Sequence, residues 1–221
     1  EDSIDEVDRI AIFDPSAGVI PFPNNLLFNG TTDGTLNIPV VNSEDMSDPK
    51  VAMNGLDGFS TSAFISTTFS SPIDANTLQG NVRIFSVVID DFNINSSDPK
   101  FAVTAVNSEL VYGSDFVAKV SSLTNLIIAP LKPLTPKSGY MVVIANGLLD
   151  TSGISYTADI TYALTKQTTP LANGSTSLIG ALEDEQAEAL EPLRLLTNAA
   201  ETVASTYATN TGSSASLDRT D

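Results

Sequence analysis

Short apolar runs, separated by polar stretches rich in turn residues, fill the middle of the chain, and this pattern predicts β-strands. Three runs stand out, 81–89 (NVRIFSVVI), 125–131 (NLIIAPL) and 139–149 (GYMVVIANGLL). Turn signals recur every 8 to 15 residues or so, and no helical period appears between them. Short strands at that spacing are typical of a β-sandwich. We therefore predict a mainly β protein whose sandwich spans residues 64–170.

The same pattern predicts particular strand features. Gly113-Ser114 lies between two apolar runs and indicates a hairpin, and 154–164 (ISYTADITYAL) is predicted as the last strand. Within 139–149, strict alternation places one set of side chains on each face of the strand. Both sets are apolar, so we expect this strand to be central and covered on both sides. The two sets are Tyr140, Val142 and Ile144 on one face, and Met141 and Val143 on the other.

The regions outside the sandwich have other patterns. Residues 1–9 are an acidic lead that we predict to be disordered, and 210–221 read as a polar linker or frayed terminus. Residues 10–63 are predicted as an extended segment that wraps the sandwich and turns at Asp14-Pro15. The reason is that this segment contains Pro15, Pro21 and Pro23. Prolines cannot donate a hydrogen bond to a neighbouring strand, and they favour extended backbone in the residue before them.

A helical period replaces the β pattern at about residue 175, and we predict a helical arm over 175–209. Ser175, Thr176 and Ser177 are possible N-caps, and Pro192 should kink the helix or begin a second one. One apolar stripe along the arm needs a partner, because a short helix is marginal without tertiary packing. We therefore expect an inter-domain contact at Leu190, Leu193, Leu196, Val203 and Tyr207, with Ala200 on the same stripe.

Composition excludes several classes of function. The 221 residues include 27 acidic and 10 basic ones, a net charge of −17, which argues against nucleic-acid binding and disfavours bare anionic lipid. Cysteine and histidine are absent, so disulfides, zinc fingers, thiol catalysis and imidazole bases are excluded. No apolar run is long enough to span a membrane, and we expect no cofactor. The first eight residues (EDSIDEVD) are unlike a signal peptide, so we expect any export signal to lie upstream.

The stretch 57–62 (DGFSTS) resembles an incomplete G-x-S-x-G nucleophile elbow around Ser60. A serine hydrolase needs a base that takes the hydroxyl proton, and this chain has no histidine and no S-x-x-K motif. Small residues must also flank the serine, and Ser62, which replaces the second glycine, is small, so geometry alone does not exclude an elbow. We therefore interpret Ser60 as a serine in a turn.

A possible calcium loop in 90–98 (DDFNINSSD) has alternating oxygen side chains at Asp91, Asn93 and Asn95. However, Ser96 replaces the turn glycine, and Ala102 stands where a bidentate glutamate is required. The incomplete motif disfavours calcium, and we interpret the stretch as a solvated loop between strands.

Three further groups have a structural interpretation beside a functional one. Acidic residues of the N-terminal lead could bind metal, but we interpret them as solvated. An acidic cluster at the start of the helical arm could perform acid–base chemistry, but negative charge there also suits the helix dipole, and we favour that interpretation. An apolar group near residue 25 could touch lipid, but core packing is favoured. The groups are Asp2, Asp5, Glu6 and Asp8; Glu183, Asp184, Glu185 and Glu188; and Phe22, Leu26, Leu27 and Phe28.

Two sets of motifs resemble known families. The stretches 69–85 (FSSPIDANTLQGNVRIF) and 125–153 (NLIIAPLKPLTPKSGYMVVIANGLLDTSG) are similar to the bacterial Ig-like pattern of surface proteins. The resemblance implies an Ig-like antiparallel β-sandwich, here with an irregular extended N-terminal segment and a C-terminal helical arm.

A second resemblance covers nearly the whole chain. The stretches FDPSAGVIPFPNNLLF, DGTLNIPV, LDGFSTS and EDEQAEALEPLRLLTNAAE are together similar to the N-terminal domain of bacterial virulence-factor lipases. In that family a catalytic α/β-hydrolase domain follows and holds the nucleophile, acid and histidine. The resemblance implies a non-catalytic domain of an exported lipase or phospholipase, extracellular or anchored at the outer surface. It also implies that the main partner is the catalytic domain of the same chain.

Two other functions remain open at this level. The chain could be a stand-alone Ig-like adhesin that binds a host or matrix ligand, or an enzyme that uses Ser60. The downstream sequence of the gene distinguishes the lipase domain from the adhesin. A downstream G-x-S-x-G with later Asp and His supports the lipase, and further Ig-like repeats support the adhesin.

Overall fold

A computed structural model describes residues 9–89 and 102–211 of the chain. The acidic lead before Arg9, the loop at 90–101 considered for calcium and the tail from 212 lie outside the described residues. The longest strands of the described chain form two three-stranded sheets, which we call sheet A and sheet B. Sheet A has the order β2-β6-β5, formed by Ile65–Thr68, Asn125–Pro130 and Phe116–Ser122. Sheet B has the order β4-β3-β7, formed by Val103–Glu109, Val82–Ile89 and Gly139–Ile144.

Short elements complete the fold. Strand β1 (Ile10–Ala11) pairs in parallel with β8 (Thr157–Ala158), and β9 (Ala172–Asn173) forms a small hairpin with β10 (Thr176–Ser177). The α-helices are α1 (Pro49–Met53), α2 (Ile160–Lys166) and α3 (Asp184–Thr211), and short 3-10 helices span Asn25–Phe28 and Ala75–Thr77. All strand pairs within sheets A and B are antiparallel. The protein is therefore a mainly β sandwich with a long C-terminal helix, as predicted.

The main core lies between the two sheets. Alternate side chains of each strand point inward, because successive residues of a strand face opposite sides. The cluster is closed by Tyr156, whose ring lies 4.5 Å from that of Phe69 and whose hydroxyl donates to the Ser71 carbonyl at 2.9 Å. The inward residues include Val82 and Ile84 of β3, Phe116 and Ala118 of β5, and Leu126 and Ile128 of β6.

Strand β7 is apolar on both faces, but it is not central. As alternation predicts, Tyr140, Val142 and Ile144 pack on the inter-sheet core, and Met141 and Val143 belong to a second cluster on the outer face of sheet B. The prediction that this strand is central is wrong, since β7 lies at one edge of sheet B and pairs there with β3. Helix α3 covers the outer face, so an edge strand can be apolar on both sides.

Two other predictions need correction. A turn does form at Gly113, whose φ is 79° and whose N–H donates to the Phe116 carbonyl, but it does not form a hairpin. It joins β4 of sheet B to β5 of sheet A, and sequence cannot distinguish such a crossing from a return within one sheet. The predicted strand 154–164 contains only β8 and then becomes α2, whose N-cap Asp159 accepts from the Thr161 N–H at 2.9 Å. A helix of seven residues is too short to show its period clearly.

The N-terminal segment extends the free edge of β2. Phe22 and Ser66 exchange both backbone hydrogen bonds, at 2.9 and 2.8 Å, and Ala11 forms an isolated bridge with Phe69. The expected turn at Asp14 is present: its carboxylate accepts from the Ala17 N–H and the Ser16 hydroxyl. These contacts occupy backbone N–H and C=O groups that would otherwise be unpaired at the edge of the sheet.

A buried carboxylate fixes the turn that closes the sandwich. One oxygen of Asp150 accepts the N–H groups of Ser152 at 2.8 Å and Ile154 at 2.9 Å, and the other accepts from Arg9 Nε at 3.0 Å. Gly153 adopts a φ of 79°, which the turn requires and glycine allows. The hydrogen bond from Ile154 is the main cause that lowers the pKa of Asp150, with Arg9 and Ser152 adding to it against the effect of burial.

Acid unfolding tests this turn. A carboxyl with a lowered folded-state pKa stabilises the fold fully above its unfolded-state value of about 3.9, and that stabilisation is lost as the pH falls through the folded value. We expect Asp150→Asn to lower the melting temperature at pH 7 and the deficit to shrink below about pH 4. Thermal unfolding between pH 2 and 7 measures it.

The exposed Asp57→Asn variant serves as the control for the loss of one carboxylate. A deficit for Asp150→Asn that stays constant across this pH range would contradict the role given to the ionised group.

Candidate inter-domain surface

Helix α3 covers the outer face of sheet B. Its C-terminal half packs Ala204 on Phe85 and neighbouring side chains, and the ring of Tyr207 lies 5.3 Å from that of Phe85 in an edge-on arrangement. Arg83 lies beside this contact, with its guanidinium 5.0 Å from the Phe85 ring and two hydrogen bonds of 2.7 Å to Glu109. The Glu109 carboxylate is the main cause that raises the pKa of Arg83.

The start of α3 differs from the prediction. The helix begins at Asp184, and Ser177, expected among the N-caps, lies in β10 and donates its N–H to the Asp184 carboxylate at 2.8 Å. The N–H of Glu183 donates to Gln186 Oε1 at 3.1 Å, which is one half of a capping box. Pro192 does not begin a second helix, because one helix continues through it.

A polar contact joins α3 to the end of α2. Arg194 is buried, and its Nη1 donates to the carbonyls of Gln167 and Thr168 at 3.5 and 3.2 Å. Asn198 Nδ2 donates to the carbonyls of Lys166, at 3.0 Å, and Gln167. Lys166 is the last residue of α2 and Gln167 is its C-cap, and carbonyls at a helix end take partners from outside the helix.

Glu191 holds Arg194 in place. Its carboxylate accepts from Arg194 Nε at 2.9 Å and Nη2 at 2.5 Å, and also from the N–H of Leu171 at 2.8 Å. Burial pushes the pKa of Glu191 upward, but the bonds from Arg194 and Leu171 outweigh it and lower the pKa. Further along, the Tyr162 hydroxyl of α2 donates to Glu201 at 2.7 Å. The side of α3 toward α2 is therefore held by charged and polar groups.

The side chains of the predicted apolar stripe are largely covered by other parts of this chain. Leu193 is buried, and Leu190, Leu196, Val203 and Tyr207 are half-buried. The buried face is centred on a different set of residues, Ala187, Leu193, Arg194 and Ala204. Sequence reasoning missed the polar members of this face. The spacing of Glu191 and Arg194 by three residues indicates a pair on one helix face, but such pairs are usually exposed.

The opposite side of α3 is exposed and almost uncharged. Six residues separated by alternate steps of four and three form one line along the helix. Ala199 is half-buried and the other five are exposed, with Leu195 at 37%. They are Glu188, Pro192, Leu195, Ala199, Thr202 and Thr206, which we call the outer stripe. A solvent-facing helix side normally has charged residues, so the outer stripe is unusual in a chain with a net charge of −17.

Ser60 lies in an exposed turn. Its Oγ accepts from the N–H groups of Ser62 at 3.3 Å and Ala63 at 3.2 Å. Its neighbour Phe59 packs edge-on between Phe22 and Phe28, with ring centroids 5.9 and 5.7 Å away. The stretch DGFSTS thus contributes an aromatic anchor for the N-terminal segment and a serine whose hydroxyl caps a turn.

The apolar group near residue 25 and the acidic cluster at the start of α3 occupy mainly structural positions. Phe28 is buried, Leu26 and Leu27 are half-buried, and Phe22 remains partly exposed. Asp184 and Glu185 lie in the first turn of α3, where negative charge suits the helix dipole. Within residues 9–89 and 102–211, no group of three or more acidic residues is arranged to hold a metal ion. Of the helices described, none is both long and apolar enough to cross a membrane.

Comparison with known proteins identifies the family. The profile for the bacterial virulence factor lipase N-terminal family matches residues 11–217, and the chain belongs to that family. No curated protein matches the chain. Among solved structures it is similar to the N-terminal part of the bacterial S-layer protein SbsC, at 18% identity over 44% of this chain and 19% of that chain, with a TM-score of 0.26. A likeness at that score supports no conclusion about fold or function.

Removal of Arg194 tests the attachment of α3. In Arg194→Ala the Glu191 carboxylate loses its cationic partner, and the carbonyls of Gln167 and Thr168, just after α2, lose a donor. We therefore expect a loss of about 2–4 kcal/mol of unfolding free energy. Amide hydrogen exchange over Leu193 to Val203 should accelerate more than exchange in β7. Urea unfolding and hydrogen exchange measure both effects.

Glu188→Gln, on the exposed side of the same helix, is the matched control and should change stability by less than about 0.5 kcal/mol. Equal effects of the two substitutions would show that the contact with α2 does not hold the helix.

Proposed function

We propose that this chain is the non-catalytic N-terminal domain of an exported bacterial lipase or phospholipase, and that it supports the hydrolase domain that follows it. Membership of the virulence factor lipase N-terminal family supports the association with a lipase domain in the same protein. The position of that domain at the cell surface is part of the proposal. No catalytic step is assigned to this chain, since Ser60 has only turn contacts and the sequence has no histidine.

The outer stripe of α3 is the observation on which the supporting role rests. Its centre consists of Pro192, Leu195 and Ala199, an uncharged and partly apolar surface that can be desolvated at low cost. Interface centres are depleted in charged residues in the same way. The helix is also the last described element of the chain.

A rigid helix makes a better support than a loose one. On its inner side α3 is fixed to sheet B through Ala204 and Tyr207, and to α2 through Arg194 and Asn198. These contacts set the direction in which the outer stripe points. A docked hydrolase domain would therefore be held at one orientation relative to the sandwich.

Binding between the separated domains tests the proposal. We expect this chain, mixed with the lipase domain of the same protein expressed separately, to bind it, and Leu195→Glu to raise the Kd at least about tenfold. A buried charge at an interface centre readily costs more than 1.4 kcal/mol. Isothermal titration calorimetry measures the affinity, and the melting temperature of the variant should be unchanged.

Leu178→Glu, an exposed leucine between β10 and α3, is the matched control and should bind like the natural chain. Absence of binding, or an equal loss in both variants, would contradict docking on the outer stripe. Further Ig-like repeats in place of a hydrolase domain would support the adhesin function instead.

A further inference from the structure

The outer face of sheet A lies on the opposite side of the sandwich from α3. Strand alternation fixes which residues point there: Ile65, Leu126 and Phe116 point into the core, so their neighbours point outward. The long helix packs elsewhere, on sheet B, on α2 and on the β9–β10 hairpin. Among residues 9–89 and 102–211, therefore, no helix of this length lies on the outward face of sheet A.

The strand register collects apolar side chains on this outer face. Directly paired residues of neighbouring strands lie about 4.5–5.5 Å apart on the same side of a sheet. Phe22 pairs with Ser66 and Ser66 with Ile127, while Ala129 pairs with Val117. The same register continues to Phe64, one position before β2, and to Leu131, one position after β6. We call the apolar members the sheet A patch: Phe22, Phe64, Val117, Ile127, Ala129 and Leu131.

The largest side chains of the sheet A patch are exposed to solvent. Phe64 is 62% exposed, Leu131 is 50% exposed and Phe22 is 39% exposed. These residues are far apart in sequence, so no local pattern marks them as one surface. Scattered exposed apolar residues are ordinary, but a contiguous group of them indicates an interaction site.

Positive charge borders the patch. The chain has lysines at 50, 100, 119, 132, 137 and 166 only, and three of them lie on this face or in the loop after it. Lys119 pairs with Ile127 in the register and is exposed, and Lys132 and Lys137 belong to the loop that follows Leu131. The nearby carboxylate of Asp115 is engaged by Lys132 at 3.1 Å and by the Val111 N–H at 2.8 Å. In a chain with 27 acidic residues, such a border is unusual.

We propose that the sheet A patch binds a zwitterionic phospholipid surface. Apolar side chains with a border of lysines are the combination that places side chains at the boundary between headgroups and acyl chains and pairs ammonium groups with phosphates. A second copy of this chain fits less well, because two molecules of charge −17 repel each other. The same net charge disfavours strongly anionic membranes, and so selects zwitterionic headgroups. The inference goes beyond the proposed function, since it concerns the side of the sandwich away from the outer stripe.

Vesicle flotation of this chain tests the inference. We expect the chain to bind phosphatidylcholine vesicles, and Phe64→Ser with Leu131→Ser to lower the partition coefficient at least about tenfold, because both apolar groups leave water on binding. Leu123→Ser with Leu178→Ser removes two exposed leucines elsewhere and should leave partitioning within about twofold. Lys119→Gln with Lys137→Gln should weaken binding severalfold, and Lys50→Gln should not. On triglyceride droplets without phospholipid, the lysine substitutions should have no effect.

Each other outcome overturns the inference. If the natural chain does not float with vesicles, or both pairs of serine variants lose binding equally, the patch is not a lipid site. If light scattering shows a dimer that Phe64→Ser with Leu131→Ser dissociates, the patch belongs to a second copy. If the lysine variants lose binding equally on droplets and vesicles, phosphate is not recognised. These readouts need no lipase domain, so they are independent of the test on the outer stripe.

Discussion

Cover of sheet B by α3 is the interaction on which the rest of the structure depends. Strand β3 has apolar side chains on both faces, with Val82 and Ile84 in the inter-sheet core and Phe85 and Val87 outside it. Without the helix, the second set would face water, and burial of a Phe or Val side chain contributes about 1.5–3 kcal/mol. The sandwich and the helix are thus one folding unit, in which the helix supplies a third layer.

Polar groups decide how that layer is seated. Apolar contacts such as Ala204 on Phe85 are non-directional and would allow the helix to slide or rotate. The hydrogen bonds of Arg194 and Asn198 to carbonyls at and just after the end of α2 have fixed geometry, and they select one position. Because α2 is in turn tied through Asp159 to the Phe13 N–H, the N-terminal segment and the C-terminal helix are linked by the same short helix.

The two outer sides of the sandwich differ in a way that matters for function. On one side, the helix is fixed by its inner contacts and presents an almost uncharged stripe, which suits a domain of the same protein. On the other, sheet A presents apolar side chains with lysines around them, in a chain that is otherwise strongly acidic. On these grounds we propose that the domain lies between a lipid surface and the lipase domain.

The sequence by itself determined the class of the fold, the presence of the long helix and the family. The short apolar run of β7 and the three-and-four spacing along α3 are local patterns, so they are visible without any partner. Only the tertiary structure decided that β7 is an edge strand, that the turn at Gly113 crosses between sheets and that 160–166 is helical. The same holds for the burial of Arg194 and the grouping of Phe22, Phe64 and Leu131. Each depends on which distant segments meet, and a side chain such as that of Arg194 has the same chemistry whether water or a helix end receives its hydrogen bonds.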